Sequence, residues 1–280
     1  MTLRSTRLLV LLGWATFAVA VQRWFSIADG IRLQFAADSA FYGAIARAAP
    51  GFVDEPVLRA YAQRFAPHWV VGVVADATGL SVGAVYRAAT VLVLAGVLLL
   101  LHATLARVGL EVRPYALAIG VVAASAYPLH YLLAAPGMLS DAVFVLGLTA
   151  LLFGLVRGSL SLALVGIAVA TLGRQTALPV GLAAAAWTVL DPAWRTRRTL
   201  AAASLVAVPV GLYAVLHLAS DSFSAPRPAD VDDLTILGFF TSAHALAEHV
   251  GLVLLGVAVP AALVAARGAE KLSEARWRTA

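Results

Sequence analysis

Long apolar runs, separated by short basic or Pro/Gly breaks, dominate this chain. They span about Leu8–Ala28, Ala84–Ala106, Pro114–Leu133, Leu139–Val156, Ser159–Leu172, Thr176–Leu190, Thr199–Leu218 and His249–Ala266. A helix rises about 1.5 Å per residue, so roughly 20 apolar residues cross about 30 Å of hydrocarbon. The runs predict an all-α, polytopic transmembrane bundle of about eight spans. Ser159–Leu172 and Thr176–Leu190 are short, and the polar break Gly173-Arg174-Gln175 between them predicts half-helices at a pocket. Ala18-Val19-Ala20 has the small-residue pattern of a signal-peptidase site. Trp24, Phe25 and Ile27 prolong the apolar run beyond it, which predicts an uncleaved anchor.

The connection over residues 29–83 is different, being long and largely hydrophilic. Phe41, Ile45 and Ala48 fall at helical spacing after Asp38-Ser39, either of which can cap a helix start. Ala49-Pro50-Gly51 ends that helix. Asp54-Glu55-Pro56 suits the first turn of a second. Leu58, Tyr61, Ala62 and Phe65 form its apolar face, and Pro67 is expected to break it. Two amphipathic helices lying at the membrane surface are therefore expected. The remaining organisation is one integral membrane domain over 1–280, with a second hydrophilic loop at 219–248 and a tail at 267–280.

Composition supports the membrane reading. Of the 280 residues, 61% are hydrophobic and only 12% charged, against roughly 25% charged in soluble domains. The net charge of +5 would otherwise invite a nucleic-acid partner, but excess Arg in such a chain anchors cytoplasmic loops and no nucleic acid is implied. Placing the N terminus in the cytoplasm and alternating sides puts 12 of the 20 basic residues in short cytoplasmic loops and tails. Among them are Arg4, Arg7, Arg107, Arg113, Arg157, Arg195, Arg197 and Arg198. Both termini then lie in the cytoplasm and the loops at 29–83 and 219–248 face outward. Cysteine is absent, which excludes disulfides and thiolate metal sites, and no metal ligand set is assigned.

Charges close to apolar runs are the candidate chemistry. Asp38 reads equally as a helix cap or as a carboxylate held above the membrane, able to act as general base toward a hydroxyl. Arg64 and His68 are four apart and share a helix face if Pro67 only kinks the turn; together they suit a phosphate, while Arg64 alone suits lipid headgroups. Asp141 opens a span and is a cap or a second carboxylate. Arg174, at the break between short segments, snorkels or binds an anionic headgroup or diphosphate. Asp221, Asp230, Asp232 and Asp233 read as a solvated acidic lid or part of a substrate site.

In this order the motifs resemble the start of the GT-C superfamily, membrane glycosyltransferases that take a sugar from a polyprenyl-phosphate donor. Asp38-Ser39-Ala40-Phe41-Tyr42 follows the first span. Arg64-Phe65-Ala66-Pro67-His68-Trp69 resembles the Arg-x-x-x-Arg segment after that loop, with His68 at the second Arg. Ser140-Asp141 resembles the acidic start of a later span, and Gly173-Arg174-Gln175-Thr176 a Thr-Arg-Glu segment, with Gln175 for Glu. The likeness covers roughly residues 8–190, in a chain shorter than most members. It implies an inverting enzyme of the bacterial cytoplasmic membrane. Asp38 would be the general base, and Arg64, His68 and Arg174 would stabilise the departing phosphate. Tyr42 would line the acceptor pocket, with Asp141 as the second carboxylate. Polyprenyl-phosphate sugar and membrane lipid would be the partners. No nucleotide or redox cofactor is implied; a divalent metal is left open, since some members use one. The same pattern also fits a small-solute or lipid transporter or flippase, and a non-catalytic membrane subunit that docks a partner subunit.

Overall fold

A computed structural model describes residues 3–24, 36–124 and 132–225, and these are mostly helical. The helices are α1 (Leu3–Trp24), α2 (Ala36–Ala48), α3 (Arg59–Ala62), α4 (Phe65–Thr78), α5 (Val82–Arg107), α6 (Val112–Ala124), α7 (Leu139–Arg157), α8 (Leu160–Gly173), α9 (Ala177–Leu190) and α10 (Arg198–Ser220). Among the described residues, three helical stretches are long and apolar enough to cross a membrane: Val82–Arg107, Pro136–Arg157 and Arg198–Ser220. Ser5–Phe17, Val112–Ala123, Leu160–Gly173 and Ala177–Leu190 are shorter apolar stretches. The last expected span, at 249–266, lies outside the described residues, as does most of the loop at 219–248. Large side chains face outward on these helices: Leu92, Leu117, Leu190 and Leu218 are 72%, 66%, 81% and 71% exposed. In water they would be an association liability; hydrocarbon is their matching solvent. They mark a membrane protein.

The tightest packing joins α7 and α8. A side-chain carbon on Gly147 would overlap the backbone of Ala170, one on Gly154 the backbone of Ala163, and one on Gly166 the backbone of Leu151. The pairings run in opposite directions, so the two helices are antiparallel at backbone contact. Gly158, at φ 70°, makes the reversal between them. Apolar side chains gain nothing by leaving lipid tails, so close packing of small residues replaces the hydrophobic drive. The same device recurs where Gly72 meets the carbonyl of Ala46 (α4 on α2), where Gly181 meets Leu205 (α9 on α10) and where Gly120 meets the Trp14 ring (α6 on α1).

The long connection departs from expectation in two ways. Pro67 does not break a helix; it sits in the first turn of α4, where its missing N–H has no intrahelical acceptor to lose. The helical residues before it are only the short α3. The all-α expectation also gains an exception. Strand β1 (Val57–Leu58) pairs in parallel with β2 (Ser224–Ala225), tying this connection to the chain just after α10. Phe223 packs in the same join, stacked on Phe52 with centroids 5.0 Å apart and edge-on to Phe65 at 5.6 Å.

These contacts define two ends. α7 runs from Asp141 to Arg157 and α8 returns to Gly173, so Arg157 and Gly158 lie at one end and Asp141 and Arg174 at the other. At the basic end the Arg7 guanidinium donates to the Leu110 carbonyl, and Arg197 donates to the Gly158 carbonyl. The opposite, polar end gathers α2, α3, the start of α4 and the end of α10.

Gly154→Leu or Gly166→Leu should force α7 and α8 apart. Each should lower the melting temperature of the detergent-solubilised protein, at a cost of about 1–3 kcal/mol. Gly211 meets open space, so Gly211→Ala should leave stability unchanged or raise it by up to about 1 kcal/mol.

Candidate functional site

Asp38 lies in the first turn of α2, where the helix dipole favours a carboxylate. Its Oδ1 accepts a 2.5 Å hydrogen bond from the Tyr61 hydroxyl of α3. That bond, then burial, pushes the Tyr61 phenol up from 10.0 to about 12. Tyr61 stays a proton donor throughout the physiological range, with Asp38 as its acceptor. Tyr61 also stacks on Phe41, 4.8 Å between centroids, and meets Tyr42 edge-on at 5.4 Å. Aromatic packing thus sets the reach of its hydroxyl.

Arg64 stands between α3 and α4, with φ −107° and ψ 19°. The backbone N–H groups of Gln63 and Arg64 close this turn onto Arg59 and Tyr61 carbonyls, each at 3.0 Å. The bend points the guanidinium into the polar end. Its Nε donates to Gln175 Oε1 at 3.3 Å and one terminal nitrogen to the Tyr42 hydroxyl at 3.5 Å. Both partners are neutral and both bonds are long. Arg64 is therefore a half-buried cation whose hydrogen bonds, among the described residues, reach no carboxylate.

Arg174 differs. It closes α8, with its backbone N–H on the Ala170 carbonyl. Its Nε lies 2.6 Å from Oδ1 of the buried Asp141, in the first turn of α7. The α7–α8 seam brings this pair together: Gly173 rests on the Ser140 carbonyl and the Phe144 backbone, with no room for a side chain. Asp141 and Arg174 thus neutralise each other. Asp141 is joined to the neighbourhood of Asp38 through Gly137, which packs on Ser39.

His68 is fully buried. Its ring stacks on Tyr42 at 3.9 Å between centroids, and its Nδ1 is 2.9 Å from the Tyr86 hydroxyl. That hydroxyl spends its only proton on the Tyr42 carbonyl, 3.1 Å away. Nδ1 must then carry the proton and donate, leaving Nε2 as a buried acceptor without a protein partner. Burial first, and the Arg64 charge second, hold the imidazole far below its usual 6.5, at about 3. His68 is neutral and contributes shape and a hydrogen bond, not charge.

Sequence reasoning placed Asp38, Tyr42, Arg64, His68, Asp141 and Arg174 individually, and the fold brings all six to one end. It missed Tyr61, assigned to an apolar face, and Gln63 and His217. Gln175 Nε2 donates to Gln63 Oε1 at 2.9 Å, and Gln63 Nε2 lies 2.8 Å from His217 Nδ1. Arg59 pairs with Asp221 at 3.0 Å, so this acid is neither a lid nor merely solvated. The partners of Gln63, His217 and Asp221 lie more than a hundred positions away along the chain, and no local spacing signals them. Among the described residues no group of three or more His, Asp or Glu is placed to hold a metal ion.

The class that emerges is a helical membrane protein with a mixed-charge, aromatic-lined polar cluster at one end of its bundle. Comparison with known protein families, with curated proteins and with solved structures found no match.

Two outcomes follow. Arg174→Ala should strand a buried carboxylate and cost about 3 kcal/mol, and Arg174→Met with Asp141→Leu should recover most of that loss in a thermal melt. For His68, the folded pKa lies below the unfolded one, so between pH 6.5 and about 3 the unfolded chain binds the extra proton. Stability conferred by the neutral ring is complete above pH 6.5 and falls on acidification, with a limiting slope of about 1.4 kcal/mol per pH unit. Melts from pH 7 to 5 should show this slope, and His68→Phe should flatten it.

Proposed function

We propose that this protein is a GT-C-like inverting glycosyltransferase of the cytoplasmic membrane. It would move a sugar from a polyprenyl-phosphate donor to an acceptor hydroxyl at the outer face. The carrying observation is the convergence of Asp38 and Arg64 on the Tyr42–Tyr61 pair at the polar end. Tyr61 holds one oxygen of Asp38, which leaves the other to take the acceptor's proton. The acceptor oxygen then bonds to the anomeric carbon. The bond from that carbon to the phosphate oxygen breaks, and the electron pair leaves with the polyprenyl phosphate. Arg64 stabilises the charge that grows on the leaving group, because among the described residues its hydrogen bonds reach no carboxylate. Arg174 is compensated by Asp141 and serves the site by carrying Gln175 beside Arg64. Tyr42 and His68 wall it.

The basic loops of the opposite end suit the cytoplasmic side by the positive-inside rule. The polar end then faces outward, where lipid-linked sugars are consumed without nucleotides. An apolar cavity of about 230 Å³, lined by Leu148, Leu151, Leu155, Val180 and Trp187 among others, matches a prenyl tail in polarity.

Native mass spectrometry of the protein in mild detergent tests the reading. Wild type should retain a polyprenyl phosphate that Arg64→Ala loses, and the donor so identified should be turned over by wild type but not by Asp38→Asn. Ordinary phospholipid in both samples would sink the donor site. Retention of the polyprenyl phosphate with full activity in Asp38→Asn would remove Asp38 as base.

A further inference from the structure

Four side chains from three separate segments join Arg64 to the end of α10, and their hydrogen bonds have only one consistent direction. Arg64 Nε can only donate, so Gln175 must present its carbonyl oxygen, at 3.3 Å. The amide nitrogen of Gln175 is then the end facing Gln63, and it donates to Gln63 Oε1 at 2.9 Å. The amide nitrogen of Gln63 is left facing His217, and it donates to Nδ1 at 2.8 Å. Nδ1 of His217 is therefore an acceptor, and its proton sits on Nε2. The direction is set by a guanidinium with no acceptor atoms. Reversing either amide would oppose donor to donor.

We propose that Gln175, Gln63 and His217 are positioning residues, a one-way relay that holds the Arg64 guanidinium ready for an anionic ligand and that acid dismantles. The proposal rests on the reading of Arg64 as the anion-binding cation. With Nε engaged by Gln175 and one terminal nitrogen on Tyr42, the side chain of Arg64 is oriented before the ligand arrives, which lowers the ordering cost of binding. A proton added to Nδ1 of His217 would remove the acceptor for Gln63. Gln63 would have to turn its oxygen to His217, and Gln175 to follow, setting an amide N–H against the Arg64 N–H.

Among the described residues, the charged and titratable groups around His217 do not supply a substitute acceptor. Tyr213 stacks on the ring from the same helix, 6.0 Å between centroids. Asp221, one turn on, is engaged by Arg59 at 3.0 Å. Arg64 stands at the far end of the relay, and Arg174 is paired with Asp141 at 2.6 Å. α8 and α9, which pack on α10, contain no ionisable residue.

The sign of the pH effect separates the relay from simple electrostatics. Acid adds positive charge at the opposite end of the relay from Arg64, and charge alone would strengthen anion binding. The relay predicts weakening. The probe is geranyl methyl phosphate, a prenyl phosphodiester whose single charge does not change in this range. Calorimetry on the purified protein in detergent should show binding roughly five- to tenfold weaker at pH 5.5 than at pH 7.5, the loss of about one hydrogen bond's worth of positioning. His217→Asn keeps an acceptor where Nδ1 stood and cannot take a proton. It should bind as wild type does at pH 7.5 and lose the acid weakening. Gln175→Leu should weaken binding at both pH values. Nitrogen-15 NMR of histidine-labelled protein, with His217→Asn as the assignment control, should show Nδ1 bare and Nε2 protonated at pH 7.5. A proton on Nδ1, acid-strengthened binding in wild type, or equal acid weakening in His217→Asn would overturn the relay. Failure of wild type to bind the probe at either pH would overturn the anion site beneath it, and the tautomer measurement would then report separately on the hydrogen-bonded chain.

Discussion

The antiparallel crossing of α7 and α8 sits at backbone contact, and the polar end is built on it. Gly147, Gly154, Gly166 and Gly173 leave room for main chain alone at successive levels of the seam. A bilayer offers no hydrophobic reward for joining two apolar helices, so contact area and short approach must supply the association. The same register fixes where the helices stop. Gly173 rests on the start of α7, so the next residue, Arg174, emerges beside Asp141. Slide the seam by one turn and the buried carboxylate loses its counter-ion. Packing and electrostatics therefore specify one arrangement twice.

Two arginines that look alike along the chain consequently have different duties. Arg174 faces a buried acid, and their attraction offsets the cost of taking both from water. Arg64 faces an amide and a phenol, and among the described residues no hydrogen-bonded acid offsets its charge. A surplus cation, half-buried among aromatic rings, is costly to hold unless something anionic visits. Asp38 has the complementary position: a phenol held protonated far above neutral pH donates to one of its oxygens and orders its side chain. The proposed division of labour comes from these local balances of charge rather than from the identity of the residues.

The extramembrane connection is stitched to the bundle by unlike contacts: a two-residue strand pair, an Arg59–Asp221 ion pair, a stack of phenylalanines, and the amide chain to His217. Each is small, and exposed ion pairs contribute little alone. Together they bind the segment carrying Tyr61 and Arg64 to the end of α10, so the groups around Asp38 do not depend on one short helix for their placement.

The hydrophobic pattern by itself determined that this is a helical membrane protein, and the helices at 82–107, 139–157, 160–173, 177–190 and 198–220 begin and end within about two residues of the apolar runs. Hydrocarbon length and helical rise are local constraints that a sequence expresses directly. Asp38, Arg64, Asp141 and Arg174 were legible too, because a charge beside an apolar run is conspicuous. Their partners were not. Tyr61 fitted an apolar stripe, and Pro67 looked like a helix breaker until its place in a first turn removed the conflict. Which way two glutamines point is decided by neighbours more than a hundred residues away. Which arginine is neutralised and which histidine stays uncharged are decided by side chains on other helices, through burial and hydrogen-bond direction, and those exist only once the helices have packed.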